Sequence, residues 1–146
     1  MIEKVTYNNF EELLSLMEAY QTFYRVNDID KEKNRRHFSR FLDDNDRGIL
    51  HIIRADGKAV GFCTLYYGFS SSRAQEVGIL NDLYVLPEYR CRGYAKRLIN
   101  HAIDEVKSRG INRIQWLTAR DNGKAQQLYD SLGATKSEWY FYAMEI

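Results

Sequence analysis

Residues 80–97 read LNDLYVLPEYRCRGYAKR and contain the most informative pattern in the chain. Its first half is an apolar run typical of a buried strand, and Pro87 ends that run. Gly93 and the small residue Ala95 follow, and the residues after them have the apolar spacing of a helix. The first N–H groups of a helix have no partners within it, so a strand that turns directly into a helix favours anion binding at the turn.

The charges around this turn support a phosphate site. Lys96 and Arg97 fall in the first helical turn, where the helix dipole disfavours cations by about 0.3–1 kcal/mol each. A bound anion explains their presence, and with Arg90 and Arg92 they suffice to neutralise a pyrophosphate. The alternative interpretation is a solvated basic face on a capped helix.

Two common phosphate motifs are absent. The chain contains no G-x-x-x-x-G-K-[ST], so the turn is not a P-loop. Only Gly93 of the three glycines of a dinucleotide fingerprint is present, which excludes that motif as well.

The sequence on both sides of the turn predicts one α+β domain over residues 1–146. Before the turn we expect strand 2–7, helix 10–25, a mostly solvated helix 31–42, and strands 49–54, 59–69 and 76–86, with a hairpin at Asp56-Gly57. After it we expect helix 93–109, strand 113–119, helix 124–132 and strand 137–145. The strand–helix–strand order makes a βαβ unit, so the prediction is a mixed sheet of six or seven strands with helices on both faces.

Composition limits the possible partners and location. The net charge is +1 at neutral pH, and the cations concentrate at one turn rather than along a stripe, which argues against nucleic acid as a partner. No apolar run of membrane-spanning length occurs, and residues 2–4 do not begin a signal peptide. We expect Cys63 and Cys91 to stay reduced, and therefore a cytoplasmic protein.

The turn also resembles a known family. Arg90-Cys91-Arg92-Gly93-Tyr94-Ala95 is similar to the acetyl-CoA signature of the GNAT N-acetyltransferases, Arg/Gln-x-x-Gly-x-Gly/Ala. A second family landmark is matched by residues 122–125 (NGKA) and 128–134 (LYDSLGA). The resemblance covers residues 45–146 well and the first 45 loosely, and it is strongest to the small-amine branch, which includes the spermidine/spermine acetyltransferases.

The resemblance implies an enzyme that uses acetyl-CoA. It implies that the amine of a small molecule, such as a polyamine, diamine or amino-acid-like compound, attacks the thioester directly in a ternary complex. The cofactor-binding residues that it implies are Leu83, Tyr84 and Val85 for pantetheine, Arg90, Cys91, Arg92, Gly93, Tyr94, Ala95 and Lys96 for the phosphates, and Asn122, Ala125 and Tyr129 on the far side.

The resemblance also implies catalytic roles. Tyr129 matches the general acid that protonates the leaving thiolate, whereas packing in the core is the alternative role for this side chain. Asp82 matches an acidic position of the polyamine enzymes and is a candidate base acting through water. Glu76, at the far end of the same strand, is a second candidate, and an ordinary salt bridge is the alternative for each.

The acceptor site is expected to draw on the first helix and its loop. Its candidate lining residues are Glu18, Tyr20, Tyr24, Asp28, Asn81 and Asp82. Asn81 stands where the polyamine enzymes commonly have Glu, which weakens the case for a polycationic acceptor. The aromatic residues 139–142 are expected in the core or on a dimer surface.

Two other interpretations remain open. A protein lysine or N-terminal acetyltransferase would use the same machinery, with an open groove in place of a closed pocket. A non-catalytic CoA-binding module would have lost the turn or the acid, yet both Gly93 and Tyr129 are present. His37, His51 and His101 have no ligand spacing to one another or to a cysteine, so no metal site is expected. A homodimer is expected by analogy only.

Overall fold

The structure, a computed structural model, describes residues 1–146. The chain divides into two compact units, Met1–Trp116 and Leu117–Ile146. The organisation of residues 1–146 as a single catalytic domain stays a prediction.

The first unit is an α+β structure built on one mixed sheet. Its strands are β1 (Ile2–Lys4), β2 (Gly48–Ala55), β3 (Lys58–Ser70), β4 (Gln75–Val85) and β5 (Ile114–Gln115), and its helices are α1 (Phe10–Phe23), α2 (Lys31–Asp43) and α3 (Tyr94–Ser108). The strands lie in the order β1-β2-β3-β4-β5, and every neighbouring pair is antiparallel except the parallel pair β4–β5. The predicted meander and the βαβ unit are therefore both present.

Apolar side chains alternate between the two faces of the sheet. Leu50 and Ile52 of β2 belong to the core under α1 and α2, whereas Ile49 packs with Val106 of α3 on the opposite face. Helices thus cover both faces, as the sequence predicts. Helix α2 is less solvated than its charge suggests, because its buried positions include Phe38 and Phe41.

The second unit contains helix α4 (Gly123–Ser131), whose two ends explain its sequence landmarks. The side chain of Asn122 accepts a hydrogen bond from Ala125 N at 3.3 Å and caps the start of the helix. Gly133 adopts φ +80°, and the N–H groups of Gly133 and Ala134 donate to the carbonyls of Asp130 and Tyr129. This is a Schellman end, which requires a left-handed residue at Gly133.

The sheet has five strands, and the predicted six or seven are not confirmed. Residues 137–146 form no strand, and the side chains of Trp139 and Tyr142 are 84% and 89% exposed. Alternating aromatic residues favour a strand only where a neighbouring strand offers hydrogen bonds and an apolar face. Among the helices, none has the length and apolar run that membrane crossing requires.

Candidate active site

The turn before α3 has an open helix start. Gly93 is the N-cap residue, with φ +81° and no side-chain cap, and Cys91 is also left-handed at φ +60°. A Cβ added at Gly93 would meet nothing within 4 Å, so glycine is needed here for its backbone conformation. Successive N–H groups of such a turn converge on the same space, which makes an anion-binding concavity.

The cations at this turn have no acidic partner. Arg92, Lys96 and Arg97 are exposed, and none of them forms an ion pair with a carboxylate. The guanidinium of Arg92 lies 5.6 Å from the centre of the Tyr89 ring. Positive charge is therefore available to an anionic ligand.

Arg90 differs from the other three cations. Its Nε donates to the carbonyl of Val85 at 2.8 Å, and its guanidinium lies 4.7 Å from the Phe23 ring centre. Arg90 therefore fastens the turn to the end of β4 and to α1, a structural role that sequence spacing does not indicate.

One edge of β4 lacks a neighbouring strand close to the turn. β5 pairs with Gly78 and Ile79 alone, so the edge from Leu80 to Val85 is unpaired on that side of the sheet. This stretch includes Leu83, Tyr84 and Val85, the residues implied for pantetheine. An unpaired strand edge presents N–H and C=O groups to an extended ligand.

The Asp82 carboxylate is held by three side-chain donors. Tyr20 donates its hydroxyl to Oδ1 at 2.8 Å, while Thr64 and the Asn81 amide donate to Oδ2, the latter at 2.9 Å. A β-bulge places Asn81 opposite no residue of β3 and brings Asp82 opposite the fully buried Thr64. The bulge therefore aims the carboxylate at α1.

Tyr20, whose hydroxyl binds this carboxylate, packs its ring against two other tyrosine rings. The ring centre of Tyr20 lies 4.8 Å from that of Tyr24 and 5.6 Å from that of Tyr84. Burial, and then the negative charge of Asp82, raise the pKa of the Tyr20 phenol above its usual range. Tyr20 thus stays a neutral donor to Asp82 at all ordinary pH values.

The other acceptor candidates lie further from Asp82 or in solvent. Glu76 is exposed and lies six residues along β4, a distance of about 20 Å at the rise of a strand. Glu18 lies 3.8 Å from the ammonium of Lys31, and both Tyr24 and Asp28 are exposed. The structure therefore brings Tyr20, Asn81 and Asp82 together but leaves Glu76 apart.

Cations on α2 are a feature that the sequence analysis missed. A surface depression between α1 and α2 is lined by Gln21, Lys33, Asn34, Arg36, His37, Phe38 and Arg40. Burial is the main cause that lowers the pKa of His37, and the charge of Asp82 opposes this effect, so His37 lies within electrostatic reach of Asp82. The spacing of Lys33, Arg36 and Arg40 along one helix was the signal available in the sequence.

The remaining candidates lie in the second unit. Tyr129 is half-buried on α4, two turns after the exposed Asn122. Asn122 caps the helix at Ala125, so part of the family landmark is explained by helix formation alone.

Comparisons with known proteins agree with this architecture. The chain is 32% identical to an uncharacterized N-acetyltransferase of Bacillus subtilis, over 81% of this chain and 78% of that protein. It is 30% identical to a D-amino-acid N-acetyltransferase of Saccharomyces cerevisiae, over 87% and 79% of the two chains. A bovine thialysine N-epsilon-acetyltransferase is 31% identical over 66% of this chain and 62% of that protein.

Solved structures show the same fold. The crystal structure of a probable acetyltransferase superposes with a TM-score of 0.86 at 30% identity, covering 100% of this chain and 97% of that one. An aminoglycoside acetyltransferase, AAC(6')-Iy in complex with a CoA-containing bisubstrate analogue, gives a TM-score of 0.86 at 20% identity and covers 100% and 97%. The family model described as Acetyltransferase (GNAT) matches residues 13–134, which confirms the enzyme class expected from the sequence. The chain therefore belongs to the acetyltransferase (GNAT) family.

Proposed function

We propose that this enzyme transfers an acetyl group from acetyl-CoA to the primary amine of a small, amino-acid-like molecule. The observation that carries the proposal is the open, cationic helix start at Gly93 beside the unpaired edge of β4. Arg92, Lys96 and the first N–H groups of α3 bind the pyrophosphate, while the backbone of residues 83–85 pairs with pantetheine. The resemblance of residues 90–95 to the acetyl-CoA signature of the family and the CoA-containing bisubstrate complex of a protein with the same fold support this assignment.

The proposed reaction is a direct attack. The amine nitrogen attacks the thioester carbonyl carbon, so that a C–N bond forms and the C–S bond breaks. The amine proton passes through a water molecule to the Asp82 carboxylate, and Tyr129 gives its phenolic proton to the leaving thiolate. An N–H group near Val85 polarises the thioester carbonyl.

The charges near Asp82 support an acceptor that carries both a positive and a negative charge. Asp82 supplies a negative charge for the ammonium, whereas Lys33, Arg36 and Arg40 line the neighbouring depression on α2. Guanidinium groups suit a carboxylate. Two relatives act, by their names, on D-amino acids and on thialysine, which agrees with such an acceptor. The absence of a second acid beside Asp82 disfavours polyamines.

Thiol release from acetyl-CoA tests the proposal with a matched pair of acceptors. Lysine and cadaverine share the same amine-bearing chain and differ in the α-carboxylate, so we expect lysine to give the higher kcat/KM. A preference for cadaverine or spermidine would indicate a diamine or polyamine enzyme, and a preference for a lysine-containing peptide would indicate a protein acetyltransferase. No release with any amine would contradict the proposed activity.

The broader expectations from the sequence stay predictions. These are one domain over residues 1–146, a homodimer and a cytoplasmic location. Light scattering of the purified protein tests the homodimer directly.

A further inference from the structure

Two histidines that lie far apart in the sequence meet beneath α3. His51 on β2 and His101 on α3 have ring centres 4.4 Å apart. Glu105 lies one turn after His101, and one ligand atom from each of the three side chains lies within 4.8 Å of the other two. Sequence reasoning missed this cluster because His51 comes from another element, although the i, i+4 spacing of His101 and Glu105 was visible.

Both imidazoles have a buried nitrogen without a partner. Nδ1 of His51 and Nε2 of His101 are shielded from solvent and form no hydrogen bond. His51 itself is only 2% exposed. Buried polar atoms in folded proteins nearly always have a partner, so two such atoms in one cluster of possible metal ligands point to a ligand shared by both side chains.

We propose that His51, His101 and Glu105 bind a divalent transition metal ion, with Zn²⁺ as the best fit. Two imidazoles and one carboxylate form a common zinc ligand set, with a fourth position left for water. Tetrahedral zinc at about 2.0–2.1 Å from its ligands holds them about 3.3 Å apart, so the side chains close by about 1–1.5 Å on binding.

His51 reaches the cluster from the sheet, whereas His101 and Glu105 both come from α3. Lys4 of β1 is the cross-strand neighbour of His51. Glu105 supplies the one negative charge of the ligand set.

The site would fasten α3 to the sheet. His101 follows Gly93 by eight residues, about 12 Å along the helix axis, so the ion does not share a site with the phosphates. The expected consequence is a more stable first unit with an anion turn held in place. This inference is independent of the proposed acetyl transfer.

Calorimetric titration of the EDTA-treated full chain with Zn²⁺ tests the site. We expect one ion per chain, a higher Tm with zinc, and, with Co²⁺, the visible absorption of a four-coordinate ion. His101→Asn and Glu105→Gln change half-buried positions and should weaken zinc binding by more than about 100-fold, since loss of even an outer-shell partner costs 10–100-fold.

The third histidine provides the matched control. His37 is exposed on α2, outside the cluster, and His37→Asn should bind zinc like the unmodified chain. Zinc binding that is unchanged in both H101N and E105Q, or lost equally in H37N, would overturn the proposal. So would the absence of any binding by the unmodified chain, and circular dichroism verifies that each variant is folded.

Discussion

The Asp82 carboxylate is the most constrained functional group in the molecule. Tyr20 and Thr64 hold its two oxygens from different elements, so its orientation is set before any substrate arrives. A group fixed in this way loses little entropy when it orients a water or an ammonium. Asp82 is therefore the better candidate base than Glu76.

Replacing Asp82 by Asn removes the charge and keeps the shape. We expect kcat/KM for the amine to fall by about 10²-fold or more, because general base catalysis contributes that much, while acetyl-CoA affinity stays unchanged. Steady-state kinetics with each substrate varied measures both quantities. Glu76→Gln makes the same chemical change about 20 Å away on β4, so a larger loss in E76Q than in D82N would identify Glu76 as the base.

The proposed role of Tyr129 can be tested by removing its hydroxyl group. Tyr129→Phe keeps the ring packed on α4 and removes the proton that the thiolate is proposed to take. We expect kcat to fall by about 10²-fold and the Kd of acetyl-CoA to change little. Single-turnover kinetics and calorimetry separate the two effects, and equal turnover in the two proteins would remove Tyr129 from the mechanism.

Among the elements, the start of α3 is where the phosphates of acetyl-CoA are proposed to bind. Gly93→Glu adds a strained left-handed residue, costing about 1–3 kcal/mol of stability, and puts a carboxylate where the phosphates are proposed to lie. We expect acetyl-CoA binding to be lost in calorimetry on the folded variant.

The other end of the same helix offers the control for this prediction. Gly110 also has positive φ, at +75°, and open space around its Cα. Gly110→Glu therefore brings the same strain and charge away from the turn, and it should bind acetyl-CoA normally. Unchanged affinity in G93E would contradict the phosphate assignment.

Turns and helix ends that depend on a short sequence motif were predictable from the sequence. The hairpin at Asp56-Gly57, the helix start at Gly93 and the helix end at Gly133 each depend on one backbone conformation that a short motif encodes. Contacts between distant segments were not predictable. The Tyr20–Asp82 hydrogen bond joins residues 62 positions apart, and the bulge at Asn81 that aims Asp82 has no residue signature.

At residues 137–145 the sequence predicts a strand that the structure does not contain. Alternating aromatic residues at 137–145 predict a strand, yet that segment forms none. Alternation describes which faces of a strand would be apolar, but pairing depends on a neighbour, and β5 is only two residues long.

For the molecule as a whole, one charged network links three elements of the first unit. Arg54 of β2 donates to the carboxylates of Glu3 on β1 and Glu12 on α1, with its closest contacts at 2.7 Å. Hydrogen bonds from Arg54 are the main cause that lowers the pKa of both glutamates. The Arg54 side chain is 17% exposed, so water screens this network less than an ordinary surface pair.

Arg54→Met keeps much of the side-chain volume and removes the charge. At neutral pH we expect the free energy of unfolding to fall by about 1 kcal/mol, a small figure because Glu12 remains 42% exposed and partly screened. A carboxyl whose pKa is lower in the folded chain stabilises that state above its unfolded pKa, about 4.3, and this contribution disappears as the pH falls through the folded value. The difference in unfolding free energy between R54M and the unmodified chain should therefore be largest at pH 7 and vanish in acid.

Urea unfolding between pH 7 and acid measures this difference. Arg35→Met is the control, since the Arg35–Glu11 pair is exposed and its loss should leave stability nearly unchanged. A difference between R54M and the unmodified chain that persists undiminished in acid would assign the role of Arg54 to packing and not to charge.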